Sequence, residues 1–426
     1  MLAAMSASLN SSPQATVVAR GRGDACPGTL RLHSADDGAL ARIRIPGGVL
    51  TTAQALALAD VATRLGDGDL HLTSRGNVQV RGLEGGCGGE LAASLEAAGL
   101  LPSATHERVR NIVASPLSGL DGGGRFDVRP WLGDLDSRLC ASASARSLSG
   151  RFLFALDDGR GDVAALGADV TVRAADGGAE LALGAHREAL LVSERDAPRA
   201  ALVAAQTFLE AVSASDARVW RIAELPLNGA EFLELARTRL AAAGIVHEGR
   251  SRDRSYTPGP PPGAIGDSLC VHIPLGRLSA GQWRRLAGLA AGELRLTPWR
   301  GVVLPTSAPP TDEVLAGVAA DGLVVDPASP WPRVGACIGS PGCAKSRADV
   351  RADAAASLPA VGARGLPLYW SGCERRCGHP PGDRVDVVAV AEGGYRLSTA
   401  VAGQDTPATT MPGPSALAAA LAAITP

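Results

Sequence analysis

From Leu70 to Arg81 apolar and polar residues alternate. Leu70, Leu72, Val78 and Val80 mark one face; His71, Thr73, Arg75, Asn77, Gln79 and Arg81 mark the other. That two-residue period predicts extended chain with one buried side. Ser74 and Gly76 soften the apolar side near its middle. In an ordinary half-exposed strand the polar face is solvated. Arginines spaced by Asn and Gln also suit a ligand with several carboxylates, because a guanidinium grips a carboxylate through paired hydrogen bonds. Val109-Arg-Asn-Ile112 adds a second cationic point, and Arg151 within Gly150-Arg-Phe-Leu-Phe-Ala155 a third.

A longer pattern occurs twice. Ile43-Arg-Ile-Pro46 precedes Leu50, Thr51 and Gln54; Val271-His-Ile-Pro274 precedes Leu278, Ser279 and Gln282. Each reads as a strand, a proline break and an N-capped amphipathic helix. Each helix then runs into a second strand, Leu70-His-Leu-Thr-Ser-Arg-Gly76 or Leu294-Arg-Leu-Thr-Pro-Trp-Arg-Gly301. This order predicts half of a ferredoxin-like unit. A weaker repeat follows: Asp169-Val-Thr-Val172 with Asp176-Gly-Gly178, and Asp386-Val-Val-Ala389 with Glu392-Gly-Gly394. Both read as strand pairs joined by a glycine turn. Between the copies, Thr257-Pro-Gly-Pro-Pro-Pro-Gly263 is a stiff linker.

The expected fold class is α+β, a duplicated module in which two half ferredoxin-like units pair into one domain, flanked by two α+β domains. The expected organisation is a tail (1–20), a first half unit (21–105), a central α+β domain (106–250), the linker (251–267), a second half unit (268–325) and a cysteine-bearing domain (326–426).

Composition narrows the setting. A chain of 426 residues supports roughly three domains, and a net charge of −2 implies no nucleic-acid partner. Eight cysteines are too few for a disulfide scaffold in a chain this long. The opening residues lack a basic start followed by an apolar core, and the apolar run from Leu417 to Ile424 is too short to cross a bilayer. A cytoplasmic protein without a membrane partner is expected.

The chemistry concentrates in four cysteines. Cys337-Ile-Gly-Ser-Pro-Gly-Cys343 and Cys373-Glu-Arg-Arg-Cys377 form two tight pairs, which can supply the thiolates of a [4Fe–4S] cluster. A helix would bring Cys373 and Cys377 onto one face, and Gly339, Pro341 and Gly342 suit a wrapping loop. A zinc site, a disulfide pair or buried thiols are the other readings, although the wider pair fits zinc knuckles poorly. Cys26, Cys87, Cys140 and Cys270 have no paired spacing and read as incidental thiols.

The spacing C-x5-C…C-x3-C resembles the cluster motif of the siroheme-dependent sulfite and nitrite reductases, and so does the order of modules. In that family the half units pair into one pseudo-symmetric domain, and the tetrapyrrole sits where three domains meet. Thr73-Ser-Arg75 is similar to its Thr-x-Arg motif and Arg110-Asn111 to its Arg-Asn motif. Its Lys-x-Lys pair looks like Arg151 and Leu153 here, so one cation of the sulfite cage is missing. Cys373-Glu-Arg-Arg-Cys377 also departs from the usual Cys-Pro-Asn-Gly-Cys.

Gly378-His379-Pro380, Arg110-Asn-Ile-Val-Ala-Ser-Pro116, Phe154-Ala-Leu-Asp-Asp158 and Cys26-Pro-Gly28 resemble the precorrin-3B synthases more closely. That resemblance implies a monooxygenase acting on precorrin-3A in aerobic cobalamin biosynthesis. It would hydroxylate and lactonise the macrocycle with dioxygen, using two electrons. Electrons would come through the cluster from an external reductase or ferredoxin, since the chain has no dinucleotide or flavin fingerprint. The resemblance also implies a mononuclear non-haem iron, for which His71, His106, Asp157, Asp158 and His379 are candidate ligands. Arg75, Arg110, Arg151 and Asp157 would serve the chemistry, and His71, Thr73, Arg75, Asn77, Gln79, Arg110, Asn111 and Arg151 would hold the substrate. The alternatives are a siroheme-dependent sulfite or nitrite reductase and a non-catalytic iron–sulfur carrier or tetrapyrrole-binding protein.

Overall fold

The duplicated strand–break–helix pattern folds the same way in both copies. The structure, a computed structural model, describes residues 27–424 apart from 216, 217, 381, 402, 412 and 413; the expected tail and Cys26 lie outside the described residues. In the first copy the strand Gly38–Ile43 breaks at Pro46, a short strand Val49–Thr51 follows, and the helix Thr52–Leu65 begins. In the second, Ser268–His272, Pro274, Arg277–Ser279 and Ala280–Leu289 repeat the sequence of elements. Thr51 with Gln54, and Ser279 with Gln282, each close a reciprocal capping box, which satisfies two otherwise orphaned backbone donors at each helix start.

The two copies exchange strands. Arg277–Ser279 pairs antiparallel with Asp69–Leu72, and Val49–Thr51 pairs with Glu293–Leu296. Each five-stranded sheet therefore contains one strand of the other copy. The crossing needs a bare backbone at Gly48, where a Cβ would stand 2.1 Å from the Leu296 carbonyl oxygen. One core spans both halves and includes Leu58, Leu70, Val80, Trp283, Leu294 and Leu304. Fully buried Trp283 ties the facing helices by donating Nε1–H to the Ala55 carbonyl at 2.7 Å.

The second repeat is equally plain. Ile112–Ala114, Phe154–Asp157 and Val170–Ala175 run parallel, then turn through Asp176-Gly-Gly into antiparallel Gly178–Leu183. Val334–Ala336, Leu368–Ser371 and Arg384–Ala389 run parallel, then turn through Glu392-Gly-Gly into antiparallel Tyr395–Val401. Each of these sheets has its own hydrophobic core. The fold is α+β and duplicated.

The linker is shorter than its composition suggests. Ser251 closes the strand His247–Ser251, and Gly263–Ile265 pairs with Ser268–His272 as the outermost strand of its sheet. Only residues 252–262 are irregular, because the proline run ends at Pro262 and Gly263 regains a ladder hydrogen bond. These residues are packed in place. A Cβ on Gly259 would fall 2.4 Å from the Trp299 ring, and Thr257 donates to the Arg160 carbonyl.

Candidate functional site

The four paired cysteines leave the ends of two neighbouring parallel strands. Cys337 follows Val334–Ala336 and Cys373 follows Leu368–Ser371 by two residues. The Cys337 N–H donates to the Trp370 carbonyl at 2.9 Å, and the Gly372 N–H donates to Cys337 Sγ at 3.2 Å. Gly339 turns the first loop with φ 70°, where a Cβ would stand 2.9 Å from Val350 Cγ2. Contrary to expectation, Cys373–Cys377 is not helical. Arg376 takes φ 44° and Gly378 φ 82°, so the segment coils through tight turns, pinned by the Tyr369 hydroxyl on the Cys377 carbonyl at 2.6 Å.

All four are free thiols, and Cys377 is exposed. Burial, then the neighbouring Cys373, Cys337 and Cys343 thiols against a lowering by Arg375, pushes the Cys377 thiol up. A soft all-thiol donor set on two neighbouring strand ends, with a backbone N–H already on one sulfur, has the chemistry to hold an iron–sulfur cluster.

The first cysteine loop is seated on the first half unit. Ala344 N–H donates to Asp36 Oδ2 at 2.5 Å, and Arg81 bridges Asp37 (2.7 and 2.8 Å) to the Gly342 carbonyl at 3.3 Å. The alternating face read from the sequence therefore meets the cysteine domain instead of water. Leu70, Leu72, Val78 and Val80 enter the core as expected. His71, opposite Gln79 across the hairpin, is only 6 % exposed, and neither ring nitrogen has a hydrogen-bond partner among the described residues. Burial lowers its pKa, despite Asp67 at 4.0 Å. Gln79, with its amide oriented to suit, accepts from Arg42 at 2.6 Å.

Of the expected cationic points, the structure joins two. Arg75 Nη1 donates to the Arg151 carbonyl at 3.2 Å, and the Arg151 guanidinium stacks 4.9 Å from the Trp220 ring. Thr73 Oγ1 accepts from the Arg75 and Asn77 amides and shapes the turn that carries Arg75. The third point is held differently. Arg110 is buried with its fork on Asp136 (2.7 and 2.8 Å) and Nη1 on the Leu100 carbonyl. Three of its five N–H donors are thereby engaged within the protein.

Asn77 and Asn111 also act inside the framework. Asn77 Nδ2 donates to Asn111 Oδ1, and Asn111 Nδ2 donates to the Phe152 carbonyl. Both are fully enclosed, and the pair ties the first half unit to the central domain.

Of the candidate iron ligands, only Asp157 and Asp158 fall together in one compact group among the described residues. His106 is saturated by Ser103, Thr105 and the Ser142 carbonyl, and His379 is exposed beside Pro380. Asp157 accepts the backbone N–H groups of Gly159, Gly161 and Ala164 and so shapes the turn that follows its strand. Asp158 is gripped by Arg160. Two compact groups exist among the described residues, Asp67–Asp69–His71 and Asp157–Asp158–Asp162. In the first, Arg277 occupies Asp69. Neither offers two histidines and a carboxylate, and no iron site is assigned to them.

Several residues escaped the sequence pattern. Buried Arg44 reaches the Arg108 and Gly150 carbonyls. Arg351 donates to the Cys337 carbonyl at 3.2 Å, and burial, then Arg277 and Arg300, lowers its pKa to about 10. A cavity of about 420 Å³ lies between the proline stretch, the second half unit and the cysteine domain, lined by His272, Trp299 and Arg333. Burial pushes His272 down to about 4. Single arginines and histidines on separate elements carry no periodic signal. Leu153 packs with Val113, Ala155, Val163, Ala168 and Trp299. Cys140 and Cys270 have pKa values raised by burial, Cys270 to about 12, consistent with inert thiols.

Residues 33–98 and 266–312 match the nitrite/sulfite reductase ferredoxin-like half domain. These are the two strand-exchanged copies, so the paired half units are of the nitrite/sulfite reductase ferredoxin-like kind. The chain is similar to a precorrin-3B synthase of Sinorhizobium sp, 27 % identical over 90 % of this chain and 84 % of the relative. It is similar to a ferredoxin–nitrite reductase of Synechococcus elongatus, 28 % identical over 80 % of this chain and 74 % of the relative. The Mycobacterium tuberculosis NirA structure superposes with a TM-score of 0.67 at 19 % identity, covering 88 % of this chain and 77 % of that one. These relatives are redox enzymes. No helix among the described residues is long and apolar enough to cross a membrane.

Proposed function

We propose that this chain is an oxidoreductase of the precorrin-3B synthase type, a monooxygenase that hydroxylates and lactonises precorrin-3A with dioxygen in aerobic cobalamin biosynthesis. A [4Fe–4S] cluster on Cys337, Cys343, Cys373 and Cys377 would supply single electrons taken from an external ferredoxin or reductase. Arg75 and Arg151 hold acidic side chains of the macrocycle, each charge-assisted bond being worth about 1.5–3 kcal/mol. His71, kept neutral by burial, offers a hydrogen bond without adding charge.

The observation that carries this reading is Leu153. By the resemblance drawn from the sequence, it stands where a sulfite cage carries its second lysine. Here it is buried in an apolar cluster against Trp299, and Arg110, another member of that cage, is occupied by Asp136. A cage without its second lysine is poorer for a small dianion such as sulfite, while Arg75 and Arg151 remain as partners for the carboxylates of a macrocycle. The second reading, a siroheme-dependent nitrite or sulfite reductase, is favoured by the nitrite reductase relative.

The purified protein distinguishes them. A broad cluster absorption without siroheme bands, with precorrin-3A converted only when dioxygen and a reduced donor are both supplied, is expected. Siroheme bands with nitrite or sulfite turnover would overturn the proposal in favour of the second reading. A cluster with no turnover of any of these substrates would leave an electron carrier.

A further inference from the structure

Arg351 lies in the first turn of the helix Val350–Ala356, beside the loop that carries Cys337. Its Nε–H holds the Cys337 carbonyl at 3.2 Å, while its Nη1 is buried without a hydrogen-bond partner. Its charged neighbours are Arg277, Arg300 and Arg81, all of its own sign. Among the described residues, Arg277 is paired with Asp69 and Arg81 with Asp37, but no carboxylate pairs with Arg351.

A guanidinium keeps its charge at any ordinary pH. Taken out of water without an anion, such a charge is strongly unfavourable. Of its guanidinium, Nε is placed on the Cys337 carbonyl, so a cluster held by Cys337 is the anion that the proposed function brings next to it. Four thiolates around an iron–sulfur core outweigh the core's positive charge, so the assembly is an anion. It becomes more negative when it accepts an electron. Net charge and local dipoles are the levers by which a protein sets a cluster's potential.

We propose that Arg351 is the resident counter-ion of the cluster held by Cys337, Cys343, Cys373 and Cys377, and that it raises the potential at which that cluster accepts an electron. The inference rests on the cluster reading of the proposed function. The step is one electron passed from a ferredoxin-type or reductase donor to the cluster; no bond forms or breaks, and Arg351 stays protonated throughout. Because it touches the ligand's backbone and not the substrate, Arg351 is a positioning residue. The N–H bond from Gly372 to Cys337 Sγ is a separate backbone contribution and remains in any Arg351 variant.

The experiment is a potentiometric titration of the reconstituted full chain, followed by electron paramagnetic resonance, with iron and acid-labile sulfide measured on every sample. Arg351→Gln should keep the parent's iron and sulfide and shift the midpoint potential to more negative values. Arg351→Lys, which keeps the charge but not the planar fork, should fall between the two. An unshifted or more positive potential in Arg351→Gln at full cluster content overturns the proposal alone. If Arg351→Gln holds no cluster, retention in Arg351→Lys still supports a counter-ion, whereas loss in both assigns Arg351 to packing and overturns it. A parent chain that takes up neither iron nor sulfide overturns the cluster reading and this proposal together.

Discussion

Ser115 occupies in the central domain the place that Cys337 holds in the cysteine domain. Each follows the first parallel strand of its sheet, and each N–H donates to the adjacent strand, at the Leu156 carbonyl (3.0 Å) or the Trp370 carbonyl (2.9 Å). Ser115 Oγ accepts the Asp158 N–H at 3.1 Å, as Cys337 Sγ accepts the Gly372 N–H at 3.2 Å. The duplication thus extends to individual hydrogen bonds. Where the second copy carries thiols, the first carries a buried carboxylate group, Asp157, Asp158 and Asp162.

That substitution has a pH signature. Burial, then the charge of Asp157, raises Asp162 from its ordinary 3.8 to about 7. The folded chain therefore retains a proton that the unfolded chain releases, so this contribution to stability declines as pH rises from about 4 to about 7 and is flat above. Each pKa unit is worth about 1.36 kcal/mol. Asp162→Asn should flatten urea-unfolding stability across that interval; an unchanged slope would place the pH dependence elsewhere.

Replacing Cys337, Cys343, Cys373 or Cys377 with Ser should remove iron, sulfide and visible absorption together, because each thiol is one of the proposed ligands. Stoichiometric zinc without sulfide in the parent would count against the cluster.

Arg75 and Arg110 should now behave differently. Arg110 is buried and Asp136 partly exposed in their bidentate pair, and removing one partner of a fully buried pair costs about 3–5 kcal/mol, an upper bound here. Arg110→Ala should lower unfolding stability by roughly 3 kcal/mol, the low end of that range. Arg75→Ala should alter stability by less than about 0.5 kcal/mol and weaken macrocycle binding at least roughly tenfold. Calorimetry and a binding titration separate the two, and equal stability losses would return Arg75 to the framework.

Trp283→Ala tests the coupling of the half units. Its ring is fully buried in the shared core and its indole N–H crosses to the other copy. A loss of about 3–5 kcal/mol is expected for truncating a buried tryptophan, read from chemical denaturation. A loss below about 1 kcal/mol, the size of an ordinary substitution, would mean that the copies hold together without it.

Much of the architecture was legible in the chain. The capping residues Thr51 and Ser279, the proline breaks and the alternating hairpin from Leu70 are local signals, carried by residues within a few positions of one another, and they announced both copies. The cysteine spacing was equally local. The sequence did not show that each copy lends a strand to the other, because pairing of Arg277 with His71 is a contact across the whole first half of the chain. Nor did it show that Cys373–Cys377 coils in turns, since i,i+4 spacing is shared by helices and by loops drawn tight at a positive-φ residue such as Arg376.

Arg110 and Arg75 look alike in sequence, each an arginine beside polar residues. Only the tertiary structure separates them. The helix Arg129–Ala141 brings Asp136 to Arg110, whereas the turn at Thr73 carries Arg75 to the Arg151 backbone. Local periodicity determined which segments became strands and helices and where the thiols stood. Which charges remained available for a ligand was decided by long-range packing, because a guanidinium's role depends on which acceptor reaches it first.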